Sequence, residues 1–584
     1  MSRRQQVFDE KRAMERIVKK SFLGSTLFAC ALLMAGTGMA TAQTAGAPDT
    51  IFINGKVFSS DANSSIHQAF AVKGDQFVAI GNDAEIRRLA DANTRTVDLK
   101  GHFVSAGLTD AHFHSEGGGP GVDLSKVRTI PELLQQIAKA AAAAKPGDLI
   151  VTNRDWHEMQ LEEQRLPLAT EIDVVAPSNP VIIRRGGHSL ILNTAALNKY
   201  NITKNTVSPP GGQVSKDAKG ELTGELFDNA QALVPLPQPV IDEKEVLRTQ
   251  QAINSYGITS VRVIGSYKGS VAPYVIMRRL ADDGKLTARY NIFLRYTDRG
   301  RSKTADAYVA GIEAQGLKQG QGDKWVRVGG IKLIVDGGFE GGHYFEPYLE
   351  PYGQGGTYHG VIVTPPAMYN ELVDKLNAKG WNIATHAVGD AGVEQVLEAY
   401  EKTNANKPIT NQRWAIEHAF ITRPEQLDRI KKLEIVLSVQ DHLLLAGPAF
   451  TKYLGEPRAS DITPLKTYLD NGLKVALGTD ADVIPINPYW ELHHYIVRNT
   501  FSNGVYGADE AVTDRAKLLE LITAGYARLT GEEAIKGQIA PGQLADFVIM
   551  SDDFLTVPIE KMPDMKALAT YVGGKEVYRD AAWK

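Results

Sequence analysis

From His102 to Asp480 the chain alternates short, β-branched apolar runs with stretches of helical period. That alternation limits the possible folds more than any other feature. A parallel strand needs a crossover to reach its neighbour, so strand–helix repetition argues for an α/β fold around a parallel sheet. Strands are expected at His102–His112, Ile258–Ile264, Arg289–Tyr296, Val328–Val335, Trp381–His386, Arg413–His418, Ile435–Val439 and Lys474–Asp480. Eight such strands fit a closed (β/α)8 barrel of TIM type. Helices are expected between them, for example at Pro366–Lys379 and Pro424–Lys432. Residues 115–250 are too many for one βα unit and are read as an insertion after the first strand, at the barrel mouth. The insertion should hold a helix around Pro131–Lys145, strands near Leu149 and Val181, and the turn-rich Ser208-Pro-Pro-Gly-Gly212.

The two ends of the chain read differently. Residues 49–100 hold short strand-like pieces separated by turn signals such as Asn54-Gly55. Residues 537–584 hold a similar set, Gly542–Met550, Ala569–Val572 and Lys575–Tyr578. Neither end has enough strands to bury two sheet faces, so both are expected to join in one composite β-sandwich. Before them, Lys19-Lys20, the apolar run Phe22–Ala35 and Ala40-Thr41-Ala42 follow the order of a signal peptide over residues 1–42. Cleavage after Ala42 would send the protein to the periplasm or outside the cell, with no membrane contact afterwards; a retained anchor is the alternative. The single cysteine, Cys30, lies in that leader, so any metal in the mature chain must be held by nitrogen and oxygen. A net charge of −4 gives no reason to expect nucleic acid as a partner.

Barrel enzymes keep their chemistry at the carboxyl ends of the strands. The first expected strand ends in His112-Phe-His114, whose alternation puts both imidazoles on one face. Lys332 lies on the fourth, His386 ends the fifth, His418 the sixth and Asp480 the eighth. Neighbouring histidines are often only hydrogen-bonded to each other. Metal-type donors on five strands, in order, are poorly explained as coincidence.

These residues carry a resemblance. Asp110-Ala-His-Phe-His114, Gly187-His188, Tyr256-Gly-Ile-Thr-Ser260, Lys332 with Asp336-Gly337, His386-Ala-Val-Gly-Asp390, Glu417-His418-Ala419, Gly478-Thr-Asp480 and Pro541-Gly-Gln-Leu-Ala-Asp546 are quoted as they stand. On them the chain resembles the amidohydrolase superfamily, in the branch of N-substituted formamide deformylase and YtcJ-like proteins, from Asp49 to Lys584. The resemblance implies that His112, His114 and Asp480 bind one divalent metal ion and that His386 and His418 bind a second. It implies that Lys332, carboxylated by CO2, bridges the two ions. Zinc is the first choice, with manganese, iron or nickel as alternatives. Two ions roughly 3.5–4 Å apart would share a hydroxide, which attacks a carbonyl carbon. Asp480 would take the proton and pass it to the leaving nitrogen. His188 would hydrogen-bond substrate or oxyanion, or be a structural histidine.

Further expectations attach to individual residues. Asp390 and Glu417 are read as partners orienting His386 and His418, and His442 as a pocket residue. His343, His359, His493 and His494 are read as loop or helix residues, and Trp156, Trp325 and Trp490 as core packing rather than pocket walls. The chain departs from the family pattern at Ala106, at Asp482 and over Gly338–Glu346, on loops that would shape the pocket. The expected activity is metal-dependent hydrolysis of a carbon–nitrogen bond in a small N-substituted amide, with a homodimer left open. The alternatives are a cyclic amidine deaminase, an esterase and an inactive binding protein.

Overall fold

The computed structural model describes residues 46–114, 121–236, 242–265, 271–296, 304–338, 340–350, 352–501 and 504–584; the expected leader over residues 1–42 lies outside them. Eight parallel strands form one sheet in sequence order. They are β1 (Leu108–Phe113), β2 (Ile258–Ile264), β3 (Arg289–Leu294), β4 (Val326–Ile334), β5 (Ile383–Ala387), β6 (Ala415–His418), β7 (Val436–Val439) and β8 (Lys474–Leu477). The chain after β8 returns to β1. Phe113 bridges Ala481, and the Asp480 amide donates to the His112 carbonyl at 2.8 Å. The sheet is therefore an almost closed barrel, as the alternating pattern predicts.

One expected strand is two. His102–His112 divides at Gly107, because its halves serve different sheets. Phe103–Ala106 pairs with Lys56–Phe58 and with Phe547–Met550, whereas Leu108–Phe113 pairs with β2. The chain crosses between sheets where Gly107 packs on Thr259, and a Cβ there would lie 2.2 Å from Thr259 Oγ1. Only the missing side chain permits that approach.

Both chain ends build the sandwich. One sheet runs Gln76–Gly81, Ala69–Lys73, Thr50–Ile53, Arg95–Asp98. The other runs Lys575–Arg579, Ala567–Val572, Phe547–Met550, Phe103–Ala106, Lys56–Phe58, Ile66–His67, so strands from the far end pair with strands from the near end. Phe52, Phe70, Phe547 and Tyr571 fill the space between the sheets, with Phe52 stacked on Phe70 and Phe547 on Tyr571. The Phe547–Met550 strand is shorter than the expected Gly542–Met550. Arg289, the first residue of β3, ties sandwich to barrel. It donates to both oxygens of Asp546 at 2.6 and 2.8 Å, and its guanidinium lies 4.4 Å from the centre of the Trp325 ring.

Between β1 and β2 the insertion carries its own five-stranded sheet, ordered Gly212–Lys216, Leu222–Asp228, Ser189–Leu192, Val181–Arg185, Ile150–Val151. Its helix Ile130–Ala143 starts at Thr129, whose side chain accepts the Glu132 amide. The helix packs Ile130, Leu133 and Ile137 into a core with fully buried Trp156. The insertion is pinned over the mouth. Arg154 pairs with Asp482 beyond β8, and Arg185 pairs with Glu340 beyond β4 at 2.6 Å.

Candidate metal centre

His112 and Asp110 sit two residues apart on β1 and face the barrel interior. Asp110 accepts the His112 and Thr479 amides and the Thr479 hydroxyl, which locks the end of β1 to the end of β8. Asp480 follows immediately, with φ +61. That left-handed conformation is uncommon for aspartate and clusters at functional sites. It aims the carboxylate at β1. Asp480 Oδ1 lies 3.1 Å from His114 Nε2 and 3.5 Å from His112 Nε2. One nitrogen from each histidine and one Asp480 oxygen all lie within 4.8 Å of one another.

β6 explains how two adjacent residues can both serve the site. On a regular strand Glu417 and His418 would face opposite sides. His418 instead has φ +76, so the strand turns at its end and both side chains reach inward. Glu417 Oε2 lies 2.7 Å from His112 Nδ1, and Oε1 accepts from Arg262 of β2 at 2.7 Å. The His418 ring lies 4.8 Å from that of His112, 4.5 Å from that of His386 and 5.4 Å from that of His442. A second group of donors is His418, His442 and Asp480, again within 4.8 Å.

His386 is the penultimate residue of β5, with its Nε2 3.0 Å from the Gly337 carbonyl. A carbonyl only accepts, so Nε2 carries the hydrogen and Nδ1 keeps the lone pair. Lys332 of β4 is 3% exposed, with Glu417, Asp480, His112, His386 and His418 in its electrostatic surroundings. Burial pushes its ammonium down to about 7; Glu417 and Asp480 oppose this, and Arg262 and Arg295 add to it. Burial likewise keeps His112 neutral, down at about 4, and holds His386 and His418 well below the ordinary imidazole range. For Asp480, burial opposes ionisation, but His112, His114 and His442 outweigh it and hold the carboxylate well below its usual range. The centre thus sets the neutral imidazoles of His112, His386 and His418 beside an ionised carboxylate. His418 Nδ1 is buried and has no hydrogen-bond partner among the described residues. Lone pairs facing one another, with a buried ring nitrogen unpartnered, are a donor set that fits a divalent cation.

The insertion adds His188, on the turn between Val181–Arg185 and Ser189–Leu192. Its Nδ1 meets Asp228 Oδ1 at 2.5 Å, and its ring lies 5.5 Å from that of His386. Burial works against its charge, but Asp228 prevails and raises the imidazole above its usual range. Gly338 makes room for this ring, since a Cβ there would lie 2.5 Å from His188 Cδ2.

Two expected pairings are corrected. Glu417 orients His112 rather than His418, because the turn at His418 moves that ring past it. Asp390 makes no described bond to His386; it accepts the Phe345 amide and pairs with Arg423. Asp336 serves that region instead, accepting the amides of His343, Val388 and Gly389. His442 is buried and bonds Asp480, rather than lining open space. Trp156, Trp325 and Trp490 pack away from the centre, donating to the Arg184 carbonyl, stacking on Arg289 and donating to the Pro563 carbonyl respectively. His493 and His494 lie on the helix Pro488–Val497, while His343 and His359 occupy the loops beyond β4. Sequence reasoning missed Arg262. Its only signal was a charged residue inside an otherwise buried β2.

Comparison with known proteins gives the family and the fold. Residues 95–578 match the profile of the amidohydrolase family, Amidohydro_3. The N-substituted formamide deformylase of Arthrobacter pascens is 27% identical over 551 residues, covering 90% of this chain and 97% of its own. Putative amidohydrolase YtcJ of Bacillus subtilis is 27% identical, covering 83% and 90%. Protein LONG AFTER FAR-RED 3 of Arabidopsis thaliana is 28% identical, covering 91% of each chain. An uncharacterised metal-dependent hydrolase from Pyrococcus furiosus shares the fold with a TM-score of 0.63 at 24% identity, covering 87% of this chain and all of its own.

Proposed function

The chain belongs to the amidohydrolase family, and from that premise we propose that it hydrolyses the carbon–nitrogen bond of a small N-substituted amide, a formamide first among them. The observation that carries this reading is the meeting of His112, His114 and Asp480, two imidazoles against one carboxylate oxygen, at the carboxyl end of a barrel. With two divalent cations bound, zinc being our choice, the site supplies a water ionised near neutral pH and a Lewis acid for the carbonyl oxygen. His112, His114 and Asp480 would hold one cation, and His386 and His418 the other. The low proton affinity of Lys332 suits its amine to add CO2 and release a proton, and the resulting anionic carbamate would be a further oxygen ligand for the cations.

The chain's own groups do the rest. Asp480 takes the proton of the attacking water and returns it to the leaving nitrogen, so that the amine departs neutral. His188, whose Nδ1 meets Asp228, would donate from Nε2 to the oxyanion that forms as the carbonyl becomes tetrahedral. The insertion, tied to the loops beyond β8 and β4 by Arg154–Asp482 and Arg185–Glu340, holds His188 beside the centre.

The test is a panel of formanilide, acetanilide and the matching phenyl esters, given to zinc-loaded protein with amine or phenol release followed. Aniline release from formanilide, faster than phenol release from the esters, is expected. A metal-loaded protein that turns over none of the panel overturns the reading.

A further inference from the structure

The two oxygens of Asp480 are divided. Oδ1 faces His112 and His114. Oδ2 lies 3.0 Å from His442 Nε2. A carboxylate oxygen only accepts, so His442 Nε2 is the donor. The His442 ring is held for this. It opens the helix His442–Leu454 directly after β7 and is 2% exposed. It packs 5.0 Å from the Phe420 ring and 5.4 Å from that of His418, and Phe420 in turn packs on Phe450. None of the family motifs quoted above includes His442.

We propose that His442 is a positioning residue that restricts Asp480 to one coordinating oxygen. A free carboxylate can give both oxygens to one cation. With Oδ2 committed to an N–H donor, Asp480 offers Oδ1 alone to a cation beside His112 and His114. The coordination number of a cation held there would stay low, and a position would remain open for water, as catalytic sites require. The hydrogen bond also fixes the carboxylate plane, which sets the direction in which Asp480 can accept a proton. The competing role for His442, suggested by its closeness to His418, is direct coordination. The 3.0 Å contact to an oxygen turned away from His112 and His114 favours the hydrogen bond.

This rests on the metal reading of the site, and its test does not need the amide reading. Protein loaded with Co²⁺ would be compared with His442→Ala, His442→Phe and His442→Gln. Phe keeps the ring packing without a donor; Gln restores an N–H near the position of Nε2. Visible absorption of Co²⁺ weakens as its coordination number rises, and geometry is diagnostic for such ions. Expected are the same cobalt equivalents per chain in all four proteins, weaker visible bands in Ala and Phe, and bands restored in Gln. On formanilide, kcat should fall at least tenfold in Ala and Phe with KM within twofold. Loss of a cobalt equivalent in Phe would make His442 a ligand and overturn the proposal. So would an unchanged spectrum in both donor-free variants. An inactive wild type with these spectral changes would refute only the amide reading.

Discussion

Glu417 gives one oxygen to His112 and the other to Arg262, and it is wholly buried. The Glu417 carboxylate therefore decides the tautomer of His112: Nδ1 carries the hydrogen and donates to Oε2, and Nε2 faces Asp480. In Glu417→Gln the Arg262 charge is left unpaired, a change that costs about 3–5 kcal/mol in buried pairs. Losing such an outer partner lowers metal affinity by about 10–100-fold. Urea denaturation and competition against a zinc chelator read the two effects separately. Asp480→Asn keeps the shape but removes the proton acceptor, and kcat on formanilide should drop about 10²–10⁴-fold. These roles were unevenly legible. His112, His114, His386, His418, Lys332 and Asp480 stood out because each marks a strand end or a local motif. Arg262 and the true partner of Glu417 did not, since residues 155 and 305 positions apart meet only once the barrel closes.

Gly107 and the end of β6 show what strand periodicity can and cannot reveal. The apolar run His102–His112 reads as one strand because both of its halves are buried, yet it serves two sheets. The hinge is a single glycine pressed on Thr259. In Gly107→Val the added atoms must push Thr259 aside, a strain typically costing about 1–3 kcal/mol. A lower thermal midpoint is expected, with zinc content at saturation unchanged. At β6, period two would send Glu417 outward. The left-handed backbone at His418 and Ala419 cancels that alternation and lets consecutive residues share the site. The insertion was visible as excess length, and His188 as a motif. Its five-stranded order, which pairs distant residues such as Ser189 with Phe227 and Ile150 with Val181, was not.

Across the whole molecule, barrel, sandwich and insertion are fastened to one another by buried ion pairs. Arg289–Asp546 joins barrel to sandwich, with the Gly573 amide also donating to Asp546. In Arg289→Met, Asp546 stays buried without its cation, a loss of about 3–5 kcal/mol by urea denaturation. The double change Arg289→Met with Asp546→Leu should recover much of it, because apolar pairs of similar volume replace buried ion pairs well. The composite sandwich was legible because neither end could bury its own sheet. The clamp that docks it was not, since a lone arginine at the start of a strand looks like any exposed cation. The central claim is that the clustered histidines and Asp480 act through bound metal. Its most direct test strips the protein with a chelator, adds zinc back in measured equivalents and follows aniline release from formanilide. Activity should vanish on stripping and return to a plateau at two equivalents per chain. Full activity in the metal-free protein would contradict the account.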